Sequence, residues 1–272
     1  MESPHITDQR AYPPGAPSWI DLATTDPHAT CDFYAGLFEW SWEEVGDGSY
    51  WVARLDGHDV AAARREPDDD GWMSYVATDD VDALAASVED AGGTVIDRPA
   101  DVGAAGRGAT LADPDGARFR GWRAGNRLGA QLVNMPGAWN FSILHTPDRA
   151  RSMDFYGGVF GWRVDAALGA GMIRLPGYGD HLESTIDPGI RERQAFAPEG
   201  FEDVVAGLSD IPAGPARWVM MFTVADRDEA VERAVGLGAT VVSTQDSEWT
   251  QEAELLDVRG SAFVVSALVK TE

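Results

Sequence analysis

Apolar and polar positions alternate with period two through WIDLATT at 19–25, and then change to a helical stripe at 29, 33, 34, 37 and 38. The same change follows FSILHTP at 141–147. Alternation sends successive side chains to opposite faces of a strand, whereas the wider spacing lines one face of a helix. An aspartate marks each boundary, Asp26 and Asp148, where a short carboxylate side chain caps the first free amides of a helix, and Pro27 suits the first helical position. The two helices open with nearly one text, CDFYAGLFEW at 31–40 and MDFYGGVFGW at 153–162, identical at six of ten positions.

A second pair of segments repeats at a different offset. WMSYVATDDVDALAASVEDAGGTVI at 72–96 aligns with WVMMFTVADRDEAVERAVGLGATVV at 218–242. Each predicts a strand, an acidic helix start at Asp80 or Asp226, an amphipathic helix ended by glycine, and another strand. LADPDGARFRGW at 111–122 aligns with LLDVRGSAFVVS at 255–266, a turn and a closing strand. Between the two units of the first copy, YWVARL, Asp56-Gly57 and DVAAARR predict a hairpin. The chain is thus expected to hold a tail at 1–16, a module at 17–124, a linker at 125–138 and a module at 139–270. The second copy is longer, and its extra residues are expected as an elaborated loop at about 176–216, rich in Pro, Gly and charge.

Composition narrows the functional classes. With 272 residues and 44% hydrophobic content the chain can fill a core. No run of 18 apolar residues and no basic, then apolar, leader is present, which predicts a cytoplasmic protein without an anchor. The formal charge of −24 repels phosphate backbones and anionic lipids, so neither nucleic acid nor membrane is an expected partner. The single cysteine, Cys31, excludes an internal disulfide and reads as a small core residue. Four tryptophans at equivalent repeat positions, Trp40, Trp162, Trp72 and Trp218, also read as core. Nucleotide-binding glycine motifs, GxSxG and HExxH are missing.

The FYxGxFxW helix, the strand-to-helix step at 77–83, the GRGATLADPDGARF run and the GAQLVNMPGAW linker together resemble the vicinal oxygen chelate superfamily. That group includes glyoxalase I, extradiol dioxygenases and the bleomycin and fosfomycin resistance proteins. The resemblance implies an α+β fold of tandem βαβββ modules, each a curled mixed sheet around a cleft, with metal ligands on the first and last strand of each module. Here those positions fall on Trp19 and Arg120, and on Phe141 and Val264. An indole, a guanidinium, a phenyl ring and an isopropyl group cannot ligate Fe²⁺, Mn²⁺, Ni²⁺ or Zn²⁺. No metal and no other cofactor is therefore expected.

If the closing strand lies beside the first strand, as the resemblance implies, Arg118, Arg120 and Trp122 share a face with Trp19 and Asp21. Guanidinium forks suit carboxylate or enolate oxygens, and indoles offer stacking area for an aromatic or polyketide-like ligand. The alternative is an Asp21–Arg120 ion pair that only braces the sheet. In the second module Phe141, Ile143, Val264 and Ser266 line the corresponding face, with His145 as the one group suited to general-base chemistry. Tyr50 and Arg54 on the hairpin are further ligand-binding candidates, and Asp21, Arg120 and His145 are the candidate catalytic groups.

The expected function is metal-independent binding of a small, partly aromatic or anionic metabolite in a sheet-lined cleft, by a monomer or a homodimer. Whether the ligand is also transformed is left open. The alternatives are a metal-free isomerase, lyase or cyclase of secondary metabolism, and a metal-dependent glyoxalase, dioxygenase or hydroxylase.

Overall fold

The computed structural model describes residues 11–68, 71–169, 171–185, 188–195 and 197–269. The first module runs β1 (Pro17–Thr24), α1 (Pro27–Phe38), β2 (Ser41–Val45), β3 (Tyr50–Leu55), β4 (His58–Arg65), then β5 (Gly71–Ala77), α2 (Val81–Asp90), β6 (Thr94–Val102), β7 (Gly106–Ala112) and β8 (Arg118–Ala124). The second runs β9 (Trp139–Thr146), α3 (Arg149–Phe160), β10 (Arg163–Val164), β11 (Met172–Arg174), α4 (Tyr178–Thr185), α5 (Ile190–Arg193) and β12 (Val204–Asp210). It ends with β13 (Arg217–Thr223), α6 (Arg227–Gly236), β14 (Thr240–Asp246), β15 (Thr250–Leu256) and β16 (Ala262–Leu268).

These strands form two mixed, eight-stranded sheets, in the orders β2-β3-β4-β1-β5-β8-β7-β6 and β10-β11-β12-β9-β13-β16-β15-β14. Each sheet is built from two βαβββ halves, as tandem modules of an α+β protein require. The helix starts are those the sequence predicts. Asp26 and Asp148 accept from the amides of Ala29 and Arg151 at 3.2 and 3.0 Å, and Asp80 and Asp226 each accept from two first-turn amides. Asp56 and Gly57 both have positive φ, 52° and 83°, the geometry that turns a two-residue hairpin.

Two expectations change. The closing strand β8 lies between β5 and β7, whereas β1 lies between β4 and β5, so the first and last strands are not neighbours. A parallel partner for β8 is supplied by β5, with Tyr75 in register with Arg120. The 176–216 insertion is not all loop: α4 and α5 occupy it, and β12 within it is a sheet strand that pairs with β9. Arg191 binds Asp180, Glu183 and Glu202, a local ion network that holds the inserted helices. The expected tail is bonded within its described part: His181 Nε2 lies 3.3 Å from Ala11 O, the Gly15 amide donates to Ala77 O at 2.8 Å and Trp162 Nε1 donates to Gly15 O at 2.8 Å. His5 lies outside the described residues.

By contacts the chain forms two compact units, and neither is a module. Unit one takes the chain up to Ser18, Ser74–Gly129 and Ser142–Trp218; unit two takes Trp19–Met73, Ala130–Phe141 and the chain from Val219. Each therefore combines half of one repeat with the complementary half of the other.

The two cores show why. In unit two, Tyr34 of α1 donates to Asp257 Oδ2 at 3.0 Å and accepts from Trp72 Nε1 at 3.0 Å. Phe33, Phe38, Trp40 and Phe263 pack round that phenol, and Phe222 packs on Phe38. In unit one, Tyr156 of α3 donates to Asp113 Oδ2 at 3.1 Å and accepts from Trp218 Nε1 at 3.1 Å, inside a shell that includes Phe119, Phe155, Phe160 and Trp162.

Each aspartate also ties its own turn, since Asp113 accepts from the amides of Asp115 and Ala117, and Asp257 from those of Arg259 and Ser261. Burial, and then the neighbouring carboxylate, push both phenols well above the usual tyrosine range, which keeps them as neutral donors. Cys31 is buried against Trp51, Ala63 and Trp42, and burial pushes its thiol up to about 12, as a core residue rather than a nucleophile requires.

Candidate functional site

The helices cover one face of each sheet, and the candidate residues lie on the other. In unit two Thr24 Oγ1 accepts from Thr30 Oγ1 of α1, so Leu22 and Ile20 share the helix side while Trp19 and Asp21 point away from it. In unit one Phe119 packs on α3 residues, and so Arg118, Arg120 and Trp122 occupy the opposite face of β8. Likewise Thr146 bonds Ser152 of α3 at 2.8 Å, which turns His145 and Ile143 the other way.

In unit two the structure gathers Trp19, Asp21, Tyr50 and a residue that sequence reasoning missed, Arg64. Tyr50 is in register with Arg64 across the β3–β4 hairpin, and Trp19 Nε1 donates to Tyr50 Oη at 2.9 Å. Asp21 is fully buried and Arg64 Nε lies 3.4 Å from its Oδ2; Arg64 also binds Glu66. Arg64 is thus a cation beside Asp21 that the sequence reading, which named only Arg120, did not anticipate. The parity of Tyr50 across a predicted hairpin would have pointed to Arg64, had the register been known. Arg54 belongs to a surface ion cluster instead, 2.6 Å from Glu43 and 2.8 Å from Asp59. A register shift between Ala53 and Arg54 separates it from the Tyr50 row.

In unit one Arg120 Nη1 donates to Tyr75 Oη at 3.0 Å, and its guanidinium carbon lies 5.5 Å from the Tyr75 ring centroid. Tyr75 meets Trp122 edge-on at 5.9 Å. Trp122 lies flat over β7, because Gly108 opposite it has no side chain; a Cβ there would stand 3.0 Å from the indole. Arg118 is half-buried two positions before Arg120. The result is a row of two cations, a phenol and an indole. Also in unit one, β9 presents half-buried Ile143 and buried His145, in register with Gly207 and Ser209 of β12.

The remaining candidates lie in unit two. Val264 and Ser266 of β16 are buried and in register with Met221 and Thr223, while Phe141 is half-buried at the start of β9. Beside them β15 supplies two carboxylates not anticipated from sequence, Glu254 in register with Val264 and Glu252 with Ser266.

With this geometry in hand, the chain matches the glyoxalase-like domain family over residues 19–120 and 127–266, and it belongs to that family. Two relatives are the anthracycline biosynthesis proteins DauV of Streptomyces sp. strain C5 and DnrV of Streptomyces peucetius. They are 36% and 35% identical, each over 94% of both chains. Among solved structures, the Mn(II)-bound glyoxalase from Novosphingobium aromaticivorans superposes with a TM-score of 0.63, over 93% of this chain and 82% of that one, at 18% identity. At that identity the likeness establishes the fold.

A fold shared with a manganese enzyme calls for a test of the donors. The first- and last-strand positions carry Trp19, Arg120, Phe141 and Val264, none of them a ligand for a divalent metal. Asp21 is engaged by a guanidinium, and among the described residues no three His, Cys, Asp or Glu side chains gather at one point. The four first- and last-strand side chains do not fit the metal. Nor, among the described residues, is any helix long and apolar enough to cross a membrane.

Proposed function

We propose that this protein binds a planar, acidic aromatic metabolite of the polyketide type on the helix-free faces of its sheets, without a metal ion. The observation that carries the reading is the Arg118, Arg120, Tyr75 and Trp122 row: two fixed positive charges beside two aromatic surfaces. Guanidinium groups stay charged at every physiological pH and pair with carboxylates or phenolates, while ring faces supply sequence-independent stacking area. The Trp19–Tyr50 and Asp21–Arg64 contacts offer a second polar and aromatic surface of the same character in unit two. The relatives named for anthracycline biosynthesis agree with this ligand class.

The test is a titration of tryptophan fluorescence with 1,4-dihydroxyanthraquinone-2-carboxylate. Saturable quenching is expected, and Arg120→Ala should weaken it about tenfold, the loss of one charge-assisted contact of about 1.4 kcal/mol. Binding that requires added Mn²⁺, or that vanishes with a chelator, would remove the metal-independent reading. Recovery of the ligand unchanged after incubation marks a binding protein, and a changed ligand an enzyme.

A further inference from the structure

Two aromatic rings of unit one, Trp122 and Tyr12, are laid against backbone that only glycine leaves bare. Trp122 lies over Gly106 and Gly108, where an added Cβ would stand 2.6 and 3.0 Å from the indole, and its Nε1 donates to Arg127 O at 3.1 Å. Tyr12 lies against Gly129, which has a φ of +127°. A Cβ there would stand 2.7 Å from the phenol ring and 2.4 Å from Ser18 O.

The segment that carries Tyr12 is itself tied down. The Ala16 amide donates to Pro13 O at 3.0 Å and the Ala77 amide to Ala16 O at 2.9 Å, while Gly15 is held by Ala77 and by the Trp162 indole. Rings anchored in this way do not close on one another. Beside them remains a partly enclosed recess of about 140 Å³, whose lining also includes Leu128, Thr78, Asp79 and Arg123. All of these residues belong to unit one.

We propose that this recess is a binding site for a single neutral phenolic ring. It stands apart from the row proposed for an acidic ligand and shares only Trp122 with it. Its size suits one ring, since a cavity of about 150 Å³ holds one benzene molecule. The indole, the phenol and Leu128 supply the apolar walls that such a ring packs against. Asp79 and Arg123, both exposed, are the one acid and the one base in the lining, so it carries no net charge to select an ion. A hydroxyl can donate to the carboxylate and accept from the guanidinium, which makes a phenol a better match than a bare arene. Arg123 also helps to hold the Asp82 carboxyl low, so its charge is already shared, against an anionic occupant.

A fluorine NMR titration of the full chain with 4-fluorophenol at neutral pH tests this, independently of the anthraquinone titration. Saturable binding is expected in the millimolar range, the affinity open to a ligand of one ring. Leu128→Trp fills the recess from a half-buried position and should weaken binding by about tenfold or more. Trp249→Ala, which removes a 59% exposed indole in unit two, should leave it unchanged. Nuclear Overhauser effects from the ring protons to the Leu128 methyls locate the ligand in the unaltered protein, so the answer does not hang on how the variant folds. 4-Fluorobenzoate, an anion of similar size, should give no such effect at the same concentration. Absence of saturation, contacts that bypass Leu128, an affinity unmoved in folded Leu128→Trp, or 4-fluorobenzoate reaching the Leu128 methyls equally well would each overturn the proposal.

Discussion

Asp113→Ala is expected to lower the unfolding free energy by about 3–4 kcal/mol, because one buried carboxylate holds three donors at once. Asp113 accepts from the amides of Asp115 and Ala117 at 2.9 and 2.8 Å and from Tyr156 Oη at 3.1 Å, and is 3% exposed. Alanine would strand all three donors away from water, and the phenol would keep only the indole of Trp218 as partner. Asparagine preserves an acceptor and should cost about 1–2 kcal/mol. Equilibrium denaturation in urea reads both, provided the slope is unchanged.

The same residue sets a pH dependence. Burial raises the Asp113 carboxyl above its ordinary 3.8, against the lowering effect of its three hydrogen bonds. The folded protein then holds its proton to a higher pH than the unfolded chain does, so over the interval between the two values folding takes up a proton. The penalty for the buried charge is fully present above the folded value, and is relieved as pH falls through that value toward 3.8. The stability difference between the unaltered protein and Asp113→Asn should therefore shift in favour of the unaltered protein as the solution is acidified through this window. A pH-independent difference would show that burial does not govern this carboxyl.

Arg64→Ala should be nearly as damaging, by about 3 kcal/mol, since it removes a cation beside the fully buried Asp21 carboxylate. An ion pair out of water gains little over an apolar pair of equal volume, but half of one is costly. Consequently Asp21→Leu combined with Arg64→Met should recover most of the loss, and urea midpoints of the single and double variants form the cycle that measures the coupling. Two independent losses that simply add would deny the pairing.

What the sequence disclosed was mainly local. The four aspartate caps, the Asp56-Gly57 hairpin and the FYxGxFxW helices depend on residues within one turn of each other, and each stands where its text predicts. Strand β2 was hidden because SWEEV mixes an indole with two acids and shows no apolar face. The neighbours of β8, the Asp21–Arg64 pair and the Arg120–Tyr75 contact depend on register between strands distant in the chain, which periodicity cannot supply. The repeats were silent in one respect. Equivalent motifs mark two modules without saying how their cores close, and the tyrosine of one repeat bonds the aspartate of the other in both units.

That exchange of halves has a consequence for biosynthesis. Tyr34 must wait for Asp257, 223 residues later, so unit two cannot close until Asp257 has left the ribosome. Asp113 and Tyr156 are 43 residues apart, and unit one is complete once Trp218 has emerged. Unit one can therefore close before unit two, and a genetic cut at the repeat boundary would sever both units rather than release two independent folds.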